Sequence, residues 1–352
     1  MPVTTRSFAK INLGLRIEAL RADGFHGLLT VYQTIGLHDL IRVSVGRGSG
    51  IEILCSDPRV PRDESNTCYR IVDKAMQGLK AKGRVTIEIG KRLPVQGGLG
   101  GASSNAVAAM LGLERALKKS LPPAERLRIT SEVGSDLPLF LVGGTVLGLG
   151  RGEQVYPLED FSAMACVVVT PEVGVSTPKA FAQWDRLCGS TTAKTAGREE
   201  GSELAGHRPA RTGKSAHPRT GGEKLTVPVP SDRMIELGRG LSAWLSEMYS
   251  GAPFRRGRRE NPLLELVRAG IKNDFERVVF PEYPELSEGK RALERAGAKY
   301  ASLSGSGSAL YGLFASKAAA RAAVAKLRKQ GLAAQPTVTL TRQQYWNRLV
   351  EA

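Results

Sequence analysis

A glycine-rich stretch carries the first chemical signal in the sequence. Residues 93–110 read LPVQGGLGGASSNAVAAM, and the apolar spacing that follows predicts a helix to about Lys119. Glycine allows positive φ angles and lets backbone N–H groups approach a ligand closely. The unpaired N–H groups and the dipole at a helix start attract anions, and Ser103 and Ser104 stand where they could cap that start. The stretch favours a phosphate-binding loop, with a tight structural loop as the alternative.

Two familiar phosphate motifs do not fit this loop. The pattern GxxxxGK[ST] requires a lysine that is absent here, and the spacing GGLGG does not match GxGxxG. The loop alone therefore leaves its function open, and other residues must decide it.

Lys10 and Asp136 supply the remaining chemistry. Lys10 stands in AKIN near the start of the first predicted strand, and Asp136 stands in EVGSDLPLFL. An aspartate can accept the proton of an attacking hydroxyl, while a lysine keeps that carboxylate ionised and stabilises phosphoryl oxygens. The set predicts a kinase that transfers phosphate to an alcohol. Taken singly, Lys10 is typical of a surface lysine and Asp136 of a turn or helix cap.

The elements that must position these residues mix strands and helices without a strict βαβ rhythm, which favours an α+β fold. Residues 11–17 alternate apolar side chains, as a half-buried strand does. Residues 40–45 and 50–55 predict a hairpin around GRGSG. Residues 300–314 read as strand, glycine turn and strand. Further elements are predicted as a turn at Asp23-Gly24, helices at 67–83, 234–249, 261–279 and 317–332, and strands at 84–90 and 333–342.

The composition sets the broad class. The chain has 352 residues, enough for about two domains, and its four cysteines (55, 68, 166 and 188) form no CxxC pair. This pattern argues against a zinc site or a disulfide framework and indicates a reducing compartment. We expect a cytoplasmic protein, because no apolar stretch is long enough for a signal peptide or a membrane span.

The net charge of +16 is compatible with nucleic acid or with a small polyanionic substrate. Much of the charge lies in segments that do not resemble a folded core. Residues 189–222 are low-complexity sequence, predicted to be disordered, and FRRGRRE clusters four arginines at 255–259. Solvated loop charge is the favoured interpretation. A basic RNA-binding protein remains the alternative from another class.

Three motifs in order resemble the superfamily of galactokinase, homoserine kinase, mevalonate kinase and phosphomevalonate kinase (GHMP kinases). They are FAKINLGL, PVQGGLGGASSNA and SLSGSGSALYGLF. Within it, RADGFHGLLTVYQTIGLHD, GSDLPLFL and NDFERVVFPEYPEL resemble the kinases that phosphorylate 4-diphosphocytidyl-2-C-methyl-D-erythritol in non-mevalonate isoprenoid synthesis. The likeness covers nearly the whole chain except residues 188–260. Another small alcohol as substrate is the nearest alternative.

The resemblance implies two domains. Residues 1–160 would form a ribosomal-protein-like α/β domain, and residues 161–352 a ferredoxin-like α+β domain that carries the insertion near 189–222. It also implies ATP and Mg²⁺ as cofactors, a cytidine diphosphate sugar alcohol as substrate, no membrane partner, and a monomer or homodimer. Magnesium would be held through ATP, with Ser104 as a candidate ligand.

The resemblance further implies a role for each matching position. Asp136 would be the catalytic base and Lys10 its partner. Phe25 and Phe181 would sandwich the cytosine ring, and His26 would bind its polar edge. Asn12, Tyr32 and Asp136 would line the erythritol end. The ATP-binding residues would be Asn66 and Lys91 near the adenine, and around the phosphates Pro94, Gly97, Gly98, Leu99, Gly100, Gly101, Ala102, Ser103, Ser104 and Asn105.

Three residues depart from the family pattern. Phe25 stands where the family usually has tyrosine, which keeps stacking but loses the phenolic hydrogen bond. Gln96 and Ala102 replace smaller residues in the loop, and both would tighten it around a triphosphate.

Overall fold

The computed structural model of the protein describes residues 1–21, 23–95, 97–196 and 272–351, with side chains left undescribed over 189–196. The predicted low-complexity segment begins inside a helix, because residues 189–196 continue α5 (Thr177–Ala196). Its remainder, the helix predicted at 234–249, the arginine cluster and Gln96 lie outside the described residues.

The first sheet is built around one long strand. β2 pairs antiparallel with β1 on one side, and on its other side with β5 through its first half and with β4 through its second half. β3 and β6 complete the sheet at its ends. The strands are β1 (Val3–Leu20), β2 (His26–Gly46), β3 (Ile51–Cys55), β4 (Arg84–Gly90), β5 (Thr145–Leu149) and β6 (Gln154–Pro157).

The predicted hairpin between residues 40–45 and 50–55 is wrong. β4 lies between the two strands, antiparallel to β2 and parallel to β3. The reason is the helix α1 (Thr67–Gly78), which connects β3 to β4 as a crossover and returns the chain parallel to β3. β4 fills the gap because Val85, Ile87 and Ile89 are all buried, as their alternation predicts.

The second sheet is antiparallel, in the order β10-β7-β9-β8, and confirms the strand, turn and strand predicted for residues 300–314. Its strands are β7 (Ala165–Val169), β8 (Tyr300–Leu303), β9 (Leu310–Phe314) and β10 (Ala334–Val338). The other helices are α2 (Gly101–Leu117), α3 (Pro123–Val133), α4 (Leu139–Val142), α6 (Glu276–Glu282), α7 (Pro284–Arg295), α8 (Lys317–Lys329) and α9 (Arg342–Leu349). The α+β class is confirmed.

The two sheets pack face to face, and helices cover both outer faces. Alternation along β7 shows the arrangement, since Val168 packs between the sheets while Val167 and Val169 pack under the outer helices. Ile11 and Leu13 of β1 also lie between the sheets.

The centre of β1 is buried on both faces, so the half-buried strand predicted there is wrong. Lys10 and Asn12, on the other face from Ile11, are 3% and 1% exposed. The end of the chain returns to the first sheet, where Thr5 bridges Val350. A division into domains at residue 160 stays a prediction.

Candidate active site

The glycine-rich loop between β4 and α2 is fixed by the turn that joins β8 to β9. Ala309 N–H donates to Gly97 O over 2.9 Å, and the Ser304 hydroxyl donates to Gly98 O over 3.0 Å. Gly98 has φ of +74°, and a Cβ there would lie 2.1 Å from Ser304 O. The close approach of two backbones therefore requires glycine at this position.

Helix α2 begins without a side-chain cap. Its N-cap is Gly100, in the left-handed region with φ of +69°, so the capping role predicted for Ser103 and Ser104 is wrong. Both serines lie inside the first turn. The first helical hydrogen bond runs from Ser104 N–H to Gly100 O, which leaves the earlier N–H groups of the turn without helical acceptors. This geometry suits an anion.

Lys10 is positioned by irregularities in β1. The register against β2 shifts between Phe8 and Lys10 and again between Asn12 and Gly14, and such bulges re-aim side chains. Lys10 N–H donates to Leu99 O over 3.0 Å, which joins the strand to the loop.

The lysine and the aspartate predicted to act together are in contact. Lys10 Nζ lies 3.4 Å from Asp136 Oδ2 and donates to Asn12 Oδ1 over 2.7 Å. The Tyr32 hydroxyl donates to Asp136 Oδ1 over 3.0 Å. The Asp136 side chain is 34% exposed, against 4% for Lys10, so the carboxylate can reach a substrate while the ammonium is enclosed. Burial is the main cause that raises the pKa of Tyr32 well above its usual value, and the nearby Asp136 carboxylate is the second. The Tyr32 hydroxyl therefore keeps its proton and can donate it to Asp136 in a hydrogen bond.

Two cavities meet at this loop. The first, of about 340 Å³, is lined by the loop backbone with Asn66, Lys91 and Pro94. The second, of about 530 Å³, is larger and is lined by all six predicted substrate residues. Gly98 and Gly100 line both. The second cavity brings together Lys10, Asn12, Phe25, His26, Tyr32, Asp136 and Phe181.

Several polar side chains that were predicted to bind the nucleotide make hydrogen bonds within the protein itself. Asn66 caps α1 by accepting from Cys68 N–H over 2.8 Å. The Ser104 hydroxyl turns away from the cavity to donate to Phe8 O over 2.7 Å and accepts from Ser7. The Ser104 hydroxyl therefore lies against β1, and Ser104 as a magnesium ligand stays a prediction.

Asp39, which the sequence analysis missed, joins these elements. It is fully buried on β2 and accepts from Lys91 Nζ (2.7 Å) and Asn105 Nδ2 (3.0 Å). Its other oxygen accepts from the N–H groups of Arg92 and Leu93 at 2.6 and 2.7 Å. A charged residue inside an apolar strand was the signal available in the sequence, since a buried carboxylate requires such partners.

The aromatic end of the second cavity differs from the predicted sandwich. The rings of His26 and Phe181 stack, with centroids 4.9 Å apart and planes within 2°. His26 therefore covers one face of the Phe181 ring. Nδ1 of His26 lies 2.8 Å from Glu18 O, and Nε2 lies 3.2 Å from Asp185 Oδ1. Asp185 is a second residue that the sequence analysis did not identify.

Phe25 is 51% exposed, and the guanidinium of Arg151 lies 4.9 Å above its ring. Arg151 was not identified from the sequence either. The turn at Asp23-Gly24 that presents Phe25 is confirmed, with Phe25 N–H donating to Asp23 Oδ1 over 3.1 Å.

The described part of the chain holds no cluster of three or more His, Cys, Asp or Glu side chains suited to a metal ion. No helix in that part is long and apolar enough to cross a membrane.

Known proteins resemble the chain in sequence and in fold. The GHMP kinases N terminal domain matches residues 66–144, and the GHMP kinases C terminal model matches residues 257–333. The chain is 34% identical over 309 residues to the 4-diphosphocytidyl-2-C-methyl-D-erythritol kinase of Solibacter usitatus, covering 88% of this chain and 80% of that one. It is 30% identical to the protein of the same name from Acaryochloris marina, covering 90% and 88%.

Among solved structures, the fold resembles a 4-(cytidine 5'-diphospho)-2C-methyl-D-erythritol kinase with a TM-score of 0.65 and 25% identity, covering 96% of this chain and 98% of that chain. A homoserine kinase from Cytophaga hutchinsonii has the same TM-score at 16% identity, covering 98% and 96%, which shows the fold alone.

These matches, with the lysine–aspartate contact beside the glycine-rich loop, define the chain as a kinase of the GHMP class. Within that class it belongs to the 4-diphosphocytidyl-2-C-methyl-D-erythritol kinase family. The predicted fold class and kinase class are confirmed, and the RNA-binding alternative gains no support.

Proposed function

We propose that the protein transfers the γ-phosphoryl group of ATP to the 2-hydroxyl of 4-diphosphocytidyl-2-C-methyl-D-erythritol. The observation that carries this proposal is the contact of Lys10 with Asp136 beside glycine backbone that lines both cavities. The names of the relatives support the substrate. A kinase that acts on this substrate would belong to the non-mevalonate route to isoprenoid precursors.

ATP would occupy the first cavity. Its phosphates would lie along the loop backbone at Gly98 to Ser103, where the first turn of α2 offers N–H groups. Its adenine would lie toward Asn66 and Lys91. Both side chains line the cavity while holding its wall together.

The alcohol would occupy the second cavity with its hydroxyl at Asp136. The carboxylate accepts the hydroxyl proton as the oxygen attacks phosphorus directly, without a phosphorylated enzyme. Lys10 contacts one oxygen of the carboxylate, and the Tyr32 hydroxyl donates to the other. A tertiary alcohol is a crowded nucleophile, so positioning must supply much of the rate.

Magnesium belongs to this proposal through the nucleotide. Mg²⁺ bound to phosphate oxygens neutralises part of their developing charge.

The cytosine ring would lie at the aromatic end. His26 covers one face of Phe181, and Arg151 lies over one face of Phe25. We therefore expect the base to stack on the other face of Phe25 and to meet the edge of the His26–Phe181 pair. Stacking supplies affinity for any base, and polar contacts at the ring edge distinguish one base from another.

A cytoplasmic location completes the proposal. Cys55, Cys68 and Cys166 are buried free thiols, and burial raises the pKa of Cys68 to about 12. Inert thiols of this kind suit a reducing compartment. The oligomeric state, monomer or homodimer, stays a prediction.

A phosphotransfer assay that couples ADP formation to NADH oxidation tests the proposal. The purified full-length chain should phosphorylate 4-diphosphocytidyl-2-C-methyl-D-erythritol and leave 2-C-methyl-D-erythritol 4-phosphate, homoserine and mevalonate unreacted. Preference for one of the compounds without a cytidyl group would support the alternative of another small-molecule kinase. No turnover of any of them would contradict the proposal.

A further inference from the structure

Arg151 lines the second cavity between the end that contains Asp136 and Tyr32, here called the reactive end, and the aromatic end at Phe25. The adjoining backbone passes beside the reactive end, because a Cβ at Gly152 would lie 2.4 Å from the Tyr32 hydroxyl and 3.8 Å from Asp136 Oδ1. The guanidinium itself lies over the ring of Phe25, 4.9 Å from the centroid. The Arg151 side chain thus lies between the place where the base would bind, at Phe25, and the place where the reacting hydroxyl would bind, at Asp136.

The Arg151 guanidinium lies over the Phe25 ring, a position from which it can stack on the aromatic face. An arginine that packs its flat face on an aromatic ring keeps its N–H groups in plane, where they match two oxygens of a phosphate. Glu153 holds the inner part of the residue, since its carboxylate accepts from Arg151 N–H over 2.6 Å and lies 3.7 Å from Nε. The side chain is 32% exposed, so a ligand in the cavity can reach it.

Lys10 and Arg151 are the lysine and arginine side chains of the described residues that line this cavity. Lys10 contacts Asp136 and donates to Asn12, whereas Arg151 Nε lies 3.7 Å from the Glu153 carboxylate, beyond hydrogen-bond distance. An anionic group halfway along the cavity would therefore meet the guanidinium of Arg151.

We propose that Arg151 binds the diphosphate of the nucleotide sugar-alcohol substrate and sets the distance between its base and its reacting hydroxyl. This inference rests on the proposed function, since only a substrate with a linking diphosphate requires a cation at this place. Arg151 is a binding residue for the acceptor and has no contact with the nucleotide cavity.

The test compares CDP with cytidine as ligands of the full-length chain by isothermal titration calorimetry. Saturating Mg²⁺ and the ATP analogue AMPPNP keep CDP out of the first cavity. In Arg151→Gln, CDP should bind about 10- to 100-fold more weakly, the range of charge-assisted hydrogen bonds, while cytidine changes by less than about 2-fold. The affinity of Arg151→Lys for CDP should lie between those of the wild type and Arg151→Gln, because lysine keeps the charge but lacks the planar guanidinium.

Arg21→Gln is the matched control, because Arg21 pairs with Asp23 near the same end but does not line the cavity. It should bind both ligands as the wild type does. Equal weakening of CDP and cytidine in Arg151→Gln, or no change in either, would overturn the inference. So would a wild type that binds both ligands equally well, whereas a wild type that binds neither would contradict the proposed cytidyl substrate itself.

Discussion

Replacing Gly98 with alanine tests whether the contact between the phosphate loop and the β8–β9 turn shapes the active site. The added Cβ would lie 2.1 Å from Ser304 O, whereas ordinary contact begins at 3.4 Å. Loop and turn must therefore separate by more than an ångström. That movement also strains the hydrogen bonds from Ser304 to Gly98 and from Ala309 to Gly97.

The expected cost has two parts. Alanine at φ of +74° costs about 1 kcal/mol after the gain from a less flexible unfolded chain. Weakening two hydrogen bonds adds about 1 to 2 kcal/mol, so the free energy of unfolding should fall by about 2 to 3 kcal/mol. A displacement of this size should lower kcat/KM by about 100-fold, because the loop also backs Lys10.

Gly331→Ala is the matched control. Gly331 has φ of +80°, but a Cβ there would meet no heavy atom within 4 Å. It should show the loss of about 1 kcal/mol alone, with unchanged kcat/KM. Urea unfolding and steady-state kinetics of both variants measure the difference. If Gly98→Ala matched Gly331→Ala in stability and rate, the close-approach argument would be refuted.

Three further changes have defined outcomes. Tyr32→Phe removes the hydrogen bond to Asp136, so kcat should fall about 10-fold with KM for ATP unchanged, and an unaltered kcat would contradict the role of Tyr32. Asp39→Ala leaves the Lys91 ammonium unpaired, so the free energy of unfolding measured in urea should fall by about 3 to 5 kcal/mol. Asp39→Asn keeps an acceptor and should lose less stability. Equal losses in the two variants would contradict the claim that the buried Lys91 ammonium needs this partner. Burial raises the pKa of Tyr300 to about 12, so above pH 10 the unfolded state releases this proton first and stability falls as pH rises. Between pH 10 and 12 the free energy of unfolding of Tyr300→Phe should fall by about 2 kcal/mol less than that of the wild type. If the two proteins lost stability in parallel over this pH range, the raised pKa of Tyr300 would be contradicted.

Local patterns in the sequence were sufficient for most individual elements. Strand β4 and helix α1 follow from alternation and helical spacing. The pairing of strands was harder to predict, because residues 40–45 and 50–55 flank a turn sequence that is compatible with a hairpin as well as with the observed sheet. The crossover through α1 decides against it by placing β4 between them, which is a property of the whole sheet.

The site divides in the same way. Residue type and order identified Lys10, Asp136 and the loop, since proton transfer and phosphate binding each require particular groups. The orientation of side chains was not accessible. Ser104 faces β1, and His26 covers Phe181, because neighbours far along the chain accept their hydrogen bonds or stack on their rings.

Arg151 and Asp39 were missed for a related reason. The charge of Asp39 inside an apolar strand was a signal, but only tertiary packing brings Arg151 to Phe25 and Asp39 to the loop.

The kinetics and nucleotide affinity of Asp136→Asn test the central claim most directly. Single-turnover phosphotransfer from radiolabelled ATP should slow by about 1,000-fold, because the amide cannot accept the hydroxyl proton. AMPPNP should bind within about 2-fold of the wild type, since Asp136 lies outside the first cavity. Asp73→Asn on α1, away from both cavities, should leave both quantities unchanged. Turnover of Asp136→Asn at the wild-type rate would contradict the claim that the carboxylate beside Lys10 is the base.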